Sequence, residues 1–278
     1  MAGTLIGLVL AGGRARVGVE PFFLDLIAGL EEALQPHGAA VLLLVAPDLD
    51  AELAVYDRWA RDGTVRAVVV VNLVHDDVRP ARLAALGLTA VLAGRHDART
   101  HHKVVTDDAG AMTAAMRMLA ALGHRTIGRV SGPADLVHTT ERSAAMLAAG
   151  EREGLDVRIV EADYSAQGGI AAIGTLLTVE PVPSAVIFDN DVMAVAAEQH
   201  LVRSGVPVPG RLSLLAVDDS PLCELAVPPL SALSIDVHDH GRTLGRAVLE
   251  ALDGVPPRDH PGPPIRILGR ETTGPAGS

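Results

Sequence analysis

Leu212-Ser213-Leu214-Leu215-Ala216-Val217-Asp218-Asp219 is an apolar run that stops abruptly at two carboxylates. It shows no alternation of apolar and polar positions, so a strand here would be buried on both faces, as in parallel sheets covered by helices. Its core, 213–217, has counterparts at 5–10, 40–45, 67–71, 90–92, 126–130, 157–160 and 185–188, each read as a strand followed by a turn and a helix. Leu24, Ile27, Leu30, Ala33 and Leu34 recur at helical spacing, as do Met112, Ala115, Met116, Leu119 and Leu122, and the second set stops at Gly123, a residue suited to a left-handed cap. Strands alternating with helices specify an α/β fold. Two sets, one before about residue 104 and one after it, give two lobes, and 49% hydrophobic residues in 278 suffice for a core in each. Segments 206–236 and 255–264 are rich in proline and read as loops or crossings, with a helix at about 237–252 between them.

Composition excludes several functions. Lys and Arg total 23 against 34 Asp and Glu, a formal charge of −11, which is the wrong sign for a surface that holds DNA by itself. Cys223 is the single cysteine, so no internal disulfide or multi-cysteine zinc site exists, and a buried small residue is its plain reading. The N-terminus lacks a basic region before its short apolar run, and no apolar stretch reaches the roughly 18 residues of a membrane span. A cytoplasmic protein is expected.

Catalytic readings fare poorly. There is no Gly-x-Ser-x-Gly elbow, Lys103 is the only lysine and belongs to no phosphate-binding loop, and Gly12-Gly13 lacks the rest of a dinucleotide fingerprint. His101-His102 and His238-Asp239-His240 invite a metal, but adjacent helical positions diverge by about 100° and exposed histidines are the better expectation. Asp107-Asp108 and Asp218-Asp219 read as helix-entry or loop carboxylates with a binding role, not as paired catalytic acids. No catalytic residue, cofactor or metal is expected.

What remains is polar chemistry at strand ends. Asn72, Asn190 with Asp191, and Asp218 each sit just beyond the end of a strand, where open parallel sheets place ligand sites. Donors and acceptors converging there suit a small hydroxylated or amide-bearing molecule.

One further pattern is specific. Ala121-Leu122-Gly123-His124-Arg125-Thr126-Ile127, Ser131-Gly132-Pro133, Glu141-Arg142, Asp163-Tyr164-Ser165, Pro183 to Val186, Asn190 to Ala194, Val206 to Pro209, Leu212 to Asp219 and Pro228-Pro229-Leu230 follow in order, with Pro21-Phe22-Phe23 at the head of the first helix. The whole set resembles the lactose/galactose-repressor (LacI/GalR) type of transcriptional regulator, over essentially the entire chain. The resemblance implies a periplasmic-binding-protein-like I fold: two Rossmann-like lobes with parallel sheets joined by three crossover segments. The lobes would be 1–104 plus 237–262 and 105–236 plus 263–278.

It also implies an effector in the cleft between the lobes. Arg142 matches the family's anchoring guanidinium, whose fork suits vicinal oxygens or a carboxylate; the alternative is an exposed helix arginine. Asp218 matches the effector-binding aspartate, Tyr164 an aromatic that packs on ligand, and Phe22 the first-lobe contact. Of Asn190 and Asp191, one either touches ligand or caps its helix. Positions that are aspartate, glutamine and phenylalanine in the lactose-responsive branch are here Ala93, Ile235 and Val237, so the pocket should be more apolar than a simple sugar site. The family's helix-turn-helix should precede Leu5, where only four residues stand. The implied function is the effector-binding core of a homodimeric regulator, reaching DNA only through that missing headpiece and making no membrane contact. The second reading is a stand-alone solute-binding protein of the same fold, and an enzyme is a distant third.

Overall fold

The computed structural model describes residues 3–12, 20–97 and 99–277. Two units emerge, Met1–Thr106 with Asp236–Pro264, and Asp107–Ile235 with Ile265–Ser278.

In the first unit, β1 (Thr4–Ala11) pairs in parallel with β2 (Ala39–Ala46) along its full length and with β3 (Ala67–Val70) on the other side. Its centre, Ile6 to Leu10, is buried, as an unbroken apolar run requires. β4 (Thr89–Ala93), β5 (His102–Val105) and β11 (Asp259–Pro261) complete a parallel sheet of order β11-β5-β4-β3-β1-β2. Around it lie α1 (Pro21–Leu34), α2 (Leu49–Asp62), α3 (Arg79–Ala85) and α9 (Val237–Leu252).

The second unit repeats the plan with α4 (Asp108–Ala121), β6 (Thr126–Ser131), α5 (Val137–Glu153), β7 (Asp156–Glu161), α6 (Ala166–Leu176), β8 (Ala185–Phe188), α7 (Asp191–Arg203), β9 (Ser213–Val217), α8 (Pro221–Leu225), β10 (Ser231–Ser234) and β12 (Arg266–Leu268). Its order is β12-β10-β9-β8-β6-β7, parallel except for β12 on β10. Met112, Met116, Ile127, Met146, Ile187, Leu215 and Leu233 form one core under it. α2, α4, α6, α7 and α9 open on Asp48, Asp107, Ser165, Asn190 and Asp236, each accepting the N–H three residues on.

Several expectations need correction. α1 buries Phe23, Leu26, Gly29, Leu30 and Leu34, while Leu24 is 58% exposed. The true face was hidden because α1 meets α9 through glycine: a Cβ on Gly29 would lie 1.9 Å from the His238 carbonyl, and one on Gly241 2.1 Å from that of Leu26. Segment 206–236 holds α8 and β10 as well as β9, and 255–264 holds β11, because their prolines sit at element edges: Pro221 opens α8 and Pro261 ends an edge strand. β4 leads into β5 rather than into a helix. His101 and His102 are buried, His102 opening β5, a strand covered by β11 and α9. Gly13 lies outside the described residues. Among those residues no helix is long and apolar enough to cross a membrane.

α7 carries an unusual group. Glu198 is fully buried with neither carboxylate oxygen hydrogen-bonded, and burial pushes its carboxyl up to about 7. The folded chain therefore favours the protonated acid, and the stability this group contributes is complete below its ordinary pKa of 4.5 and lost as pH rises through about 7. Glu198→Met should raise unfolding free energy in urea by about 1 to 3 kcal/mol at pH 8 and by much less at pH 4.5. Gly29→Ala should cost about 1 to 3 kcal/mol in the same measurement, since the added methyl must push α1 off α9.

Candidate ligand site

In the second sheet the chain runs from β6 outward to β7 and then returns to β8 on the other side. Open parallel sheets place ligands beyond the carboxyl ends of strands at such a reversal. Here those ends are Ser131-Gly132 after β6 and Asp189-Asn190 after β8.

Beneath them sits an ion pair with no solvent exposure. Arg129 of β6 donates through Nε to Asp189 Oδ1 at 2.7 Å and through Nη2 to Oδ2 at 2.6 Å. Its Nη1 reaches Ser143 Oγ at 2.7 Å and its Nη2 the Thr139 carbonyl at 3.2 Å, both on α5. The Gly132 N–H donates to Asp189 Oδ2 at 3.0 Å. Although burial opposes ionisation, the Arg129 guanidinium holds the Asp189 carboxyl below the usual range.

Arg142, between Thr139 and Ser143 on α5, is neither an exposed helix arginine nor fully buried, its side chain being 13% exposed. Nε donates to Asp108 Oδ1 at 2.7 Å, Nη2 lies 2.5 Å from the same oxygen, and Nη1 reaches the Asp189 carbonyl at 3.5 Å. Desolvation works against its charge, but the carboxylates of Asp108 and Asp189, then Tyr164 and Asp218, raise its pKa. Arg142, Tyr164 and Asp218 therefore share one electrostatic neighbourhood.

Tyr164 is buried, its hydroxyl 2.9 Å from His138 Nε2 and 3.3 Å from Thr139 Oγ1. Burial and then Arg142 push the His138 imidazole down to about 4, so it is neutral at pH 7. Asn190 caps α7 by accepting the Met193 N–H at 2.9 Å and donates through Nδ2 to the Tyr164 carbonyl at 3.1 Å. Asp191 accepts the Ser220 N–H at 3.0 Å, tying α7 to the loop that carries Asp218. Asp219 is paired with Arg270 at 2.7 and 3.0 Å, which separates it in role from its neighbour. Phe22 and Asn72 belong to the first unit: Phe22 meets Phe23 edge to face at 5.3 Å, and the Asn72 carbonyl accepts from Arg79 Nη2 at 2.8 Å.

The backbone singles out the same positions. Among the described residues four non-glycines have left-handed φ, namely Asn72 at 51°, Asp76 at 54°, Tyr164 at 65° and Asp218 at 68°. Three of them are site residues chosen from sequence, and strained backbone concentrates at functional sites.

Residues 116–273, more than half of the chain, match the periplasmic binding protein-like domain family. The chain is 28% identical over 256 residues to the HTH-type transcriptional regulator CelR of Thermobifida fusca, spanning 90% of this chain and 75% of the relative. A LacI family transcriptional regulator from Bifidobacterium animalis subsp. lactis superposes with a TM-score of 0.88 at 33% identity, covering 98% of each chain. The chain belongs to the LacI family of regulators, as their effector-binding core. A structure of the regulator CelR in complex with cellobiose is also similar, with a TM-score of 0.88 and 25% identity over 98% of this chain and 86% of that one.

For this LacI-type core, residue-by-residue reading missed Arg129, Asp189 and His138 as parts of the candidate site, whereas Asp108, read as a helix-entry carboxylate with a binding role, holds Arg142. A lone guanidinium inside the strand Thr126-Ile-Gly-Arg-Val-Ser is the signal that could have found Arg129, because a charge in a buried strand demands a counter-charge. Asp189→Asn should cost about 3 to 5 kcal/mol in urea unfolding by stranding that guanidinium, and the double change Arg129→Met/Asp189→Leu should cost less than Asp189→Asn alone.

Proposed function

We propose that this LacI-family core binds a sugar-like effector through Arg142, Tyr164 and Asp218, and that the bound state sets the operator affinity of a helix-turn-helix module coupled to it. Asn190 and Asp191 shape the loops behind those three, and the proposal includes Phe22 and Asn72 of the first unit as further contacts on the strength of the resemblance. The observation that carries it is the guanidinium of Arg142. A guanidinium has five N–H donors, and Asp108 with the Asp189 carbonyl engages three of them, which leaves capacity for vicinal hydroxyls. Its orientation is fixed before ligand arrives, so little entropy is lost on binding. The cellobiose complex of CelR supports a saccharide over other hydroxylated molecules.

The working protein is proposed to be a cytoplasmic homodimer, with the exposed Leu222, Leu225 and Val227 and parts of α2 among its contact candidates. Effector and operator would then couple reciprocally, by about 1 to 3 kcal/mol. The relatives are named as regulators and not as enzymes, and a non-catalytic role is part of this reading.

Calorimetric titration with cellobiose, other disaccharides, monosaccharides and nucleosides tests it. At least one saccharide should bind, and Arg142→Ala and Asp218→Asn should each weaken it roughly 10-fold to 100-fold, as loss of a charged hydrogen bond does. Undiminished affinity in both variants would reject the assignment.

A further inference from the structure

Away from the ligand site, within the first unit, three metal-ligating side chains meet under the end of α9. His102 of β5, His260 of β11 and Glu250 of α9 place their nearest ligand atoms within 4.8 Å of one another. Both histidines are buried and the glutamate side chain is 29% exposed. His102 Nδ1 lies 2.9 Å from His260 Nε2 and 4.0 Å from Glu250 Oε2, and His260 Nε2 lies 3.7 Å from that same oxygen. A point equidistant from these three atoms lies about 2.1 Å from each. That radius is the length of zinc–imidazole and zinc–carboxylate bonds, roughly 2.0 to 2.2 Å.

The tautomer is also set for ligation. His102 Nε2 is 3.1 Å from the Val255 carbonyl, which can only accept, so Nε2 carries the proton and Nδ1 keeps its lone pair on the side of His260. A backbone carbonyl fixing the far ring nitrogen is the usual outer support of a metal-bound histidine. In the metal-free chain the His260 Nε2 proton bridges the two rings; moving it to Nδ1 frees a second lone pair without net charge change. Two cationic groups stand nearby. Arg258 holds Glu250 at 2.6 and 3.0 Å, and Arg246, whose charge reaches His260, pairs with Asp239 at 3.9 Å. A carboxylate has about four acceptor positions, so Glu250 can keep Arg258 and still offer Oε2, while Arg246 is already matched by Asp239.

We propose that His102, His260 and Glu250 form a binding site for a divalent cation of the zinc class, clipping the end of α9 to β5 and β11. Two imidazoles and one carboxylate favour zinc, cobalt or nickel over magnesium and calcium, which prefer all-oxygen shells.

The test uses untagged full-length protein, freed of metal with a chelator and dialysed. Titration with zinc chloride should show one ion per chain at concentrations below roughly 100 μM, with the unfolding midpoint raised by roughly 5 °C or more at saturating ion. Cobalt chloride should give visible absorption bands. Glu250→Gln and His260→Gln should each weaken zinc at least roughly tenfold, while His238→Gln, at an exposed histidine beside Asp25 and Glu32, should leave it unchanged. Far-ultraviolet circular dichroism confirms that each variant is folded, and Glu250→Gln carries the conclusion if His260→Gln is not. Absence of binding below that concentration, equal affinity in wild type and Glu250→Gln, or loss only in His238→Gln would overturn the proposal.

Discussion

A charge with no access to water can exist in a folded chain only beside its counter-charge, and the geometry of the second unit follows from that rule at Arg129 and Asp189. Both side chains have zero exposure. In such buried pairs the attraction is largely offset by the cost of drying the two charges, while loss of one partner strands the other. What this pair visibly does is connect three elements. One carboxylate fixes the end of β8, accepts the N–H that ends β6, and through Arg129 grips α5 at Thr139 and Ser143. Arg142 lies one residue before Ser143, so its position is inherited from the pair beneath it.

The first unit solves the same problem with different residues. Arg79, opening α3, donates to Asp77 at 2.7 Å, to Glu52 of α2 at 3.2 Å and to the Asn72 carbonyl at 2.8 Å. Tyr56 closes the network through its hydroxyl to Glu52. The strand end after β3 is thereby held by a buried guanidinium, as the strand end after β8 is. In each unit rigidity is supplied behind a loop whose carbonyls and amides would otherwise be free to shift.

Much of this was legible from residue order, and the exceptions have physical causes. Apolar strands such as Ala185–Phe188, and Ser213–Val217 after its first residue, stand out because burial on both faces favours side chains that need no partner. His102-Lys103-Val104-Val105 does not read as a strand, because half of it is polar and the side chains that match it include His260 and Asp259, far along the chain. The face of α1 was misassigned because a glycine in backbone contact contributes no hydrophobicity. The roles of Asn190 and Asp191 stayed undecided in sequence because capping and ligand contact ask for the same residue types. The structure shows both committed to the protein's own backbone, at Met193, Tyr164 and Ser220.

Backbone strain marks residues of the candidate site independently of similarity to relatives. A left-handed conformation costs an L-residue about 1 to 2 kcal/mol, and for a bulky aromatic it persists only where surroundings over-determine it. Those surroundings are visible at Tyr164. Its ring occupies the space where a Cβ on Gly132 would come within 2.1 Å, its hydroxyl meets His138 and Thr139, and its carbonyl is held by Asn190. Asp218 is held likewise, its N–H donating to the Leu233 carbonyl and its own carbonyl approached by Cys223 Sγ at 3.9 Å. A glycine would serve the chain reversal at either residue with less strain, so at Tyr164 and Asp218 the strain accompanies a side chain, and with Asn72 they make three of the four left-handed non-glycine positions among the described residues.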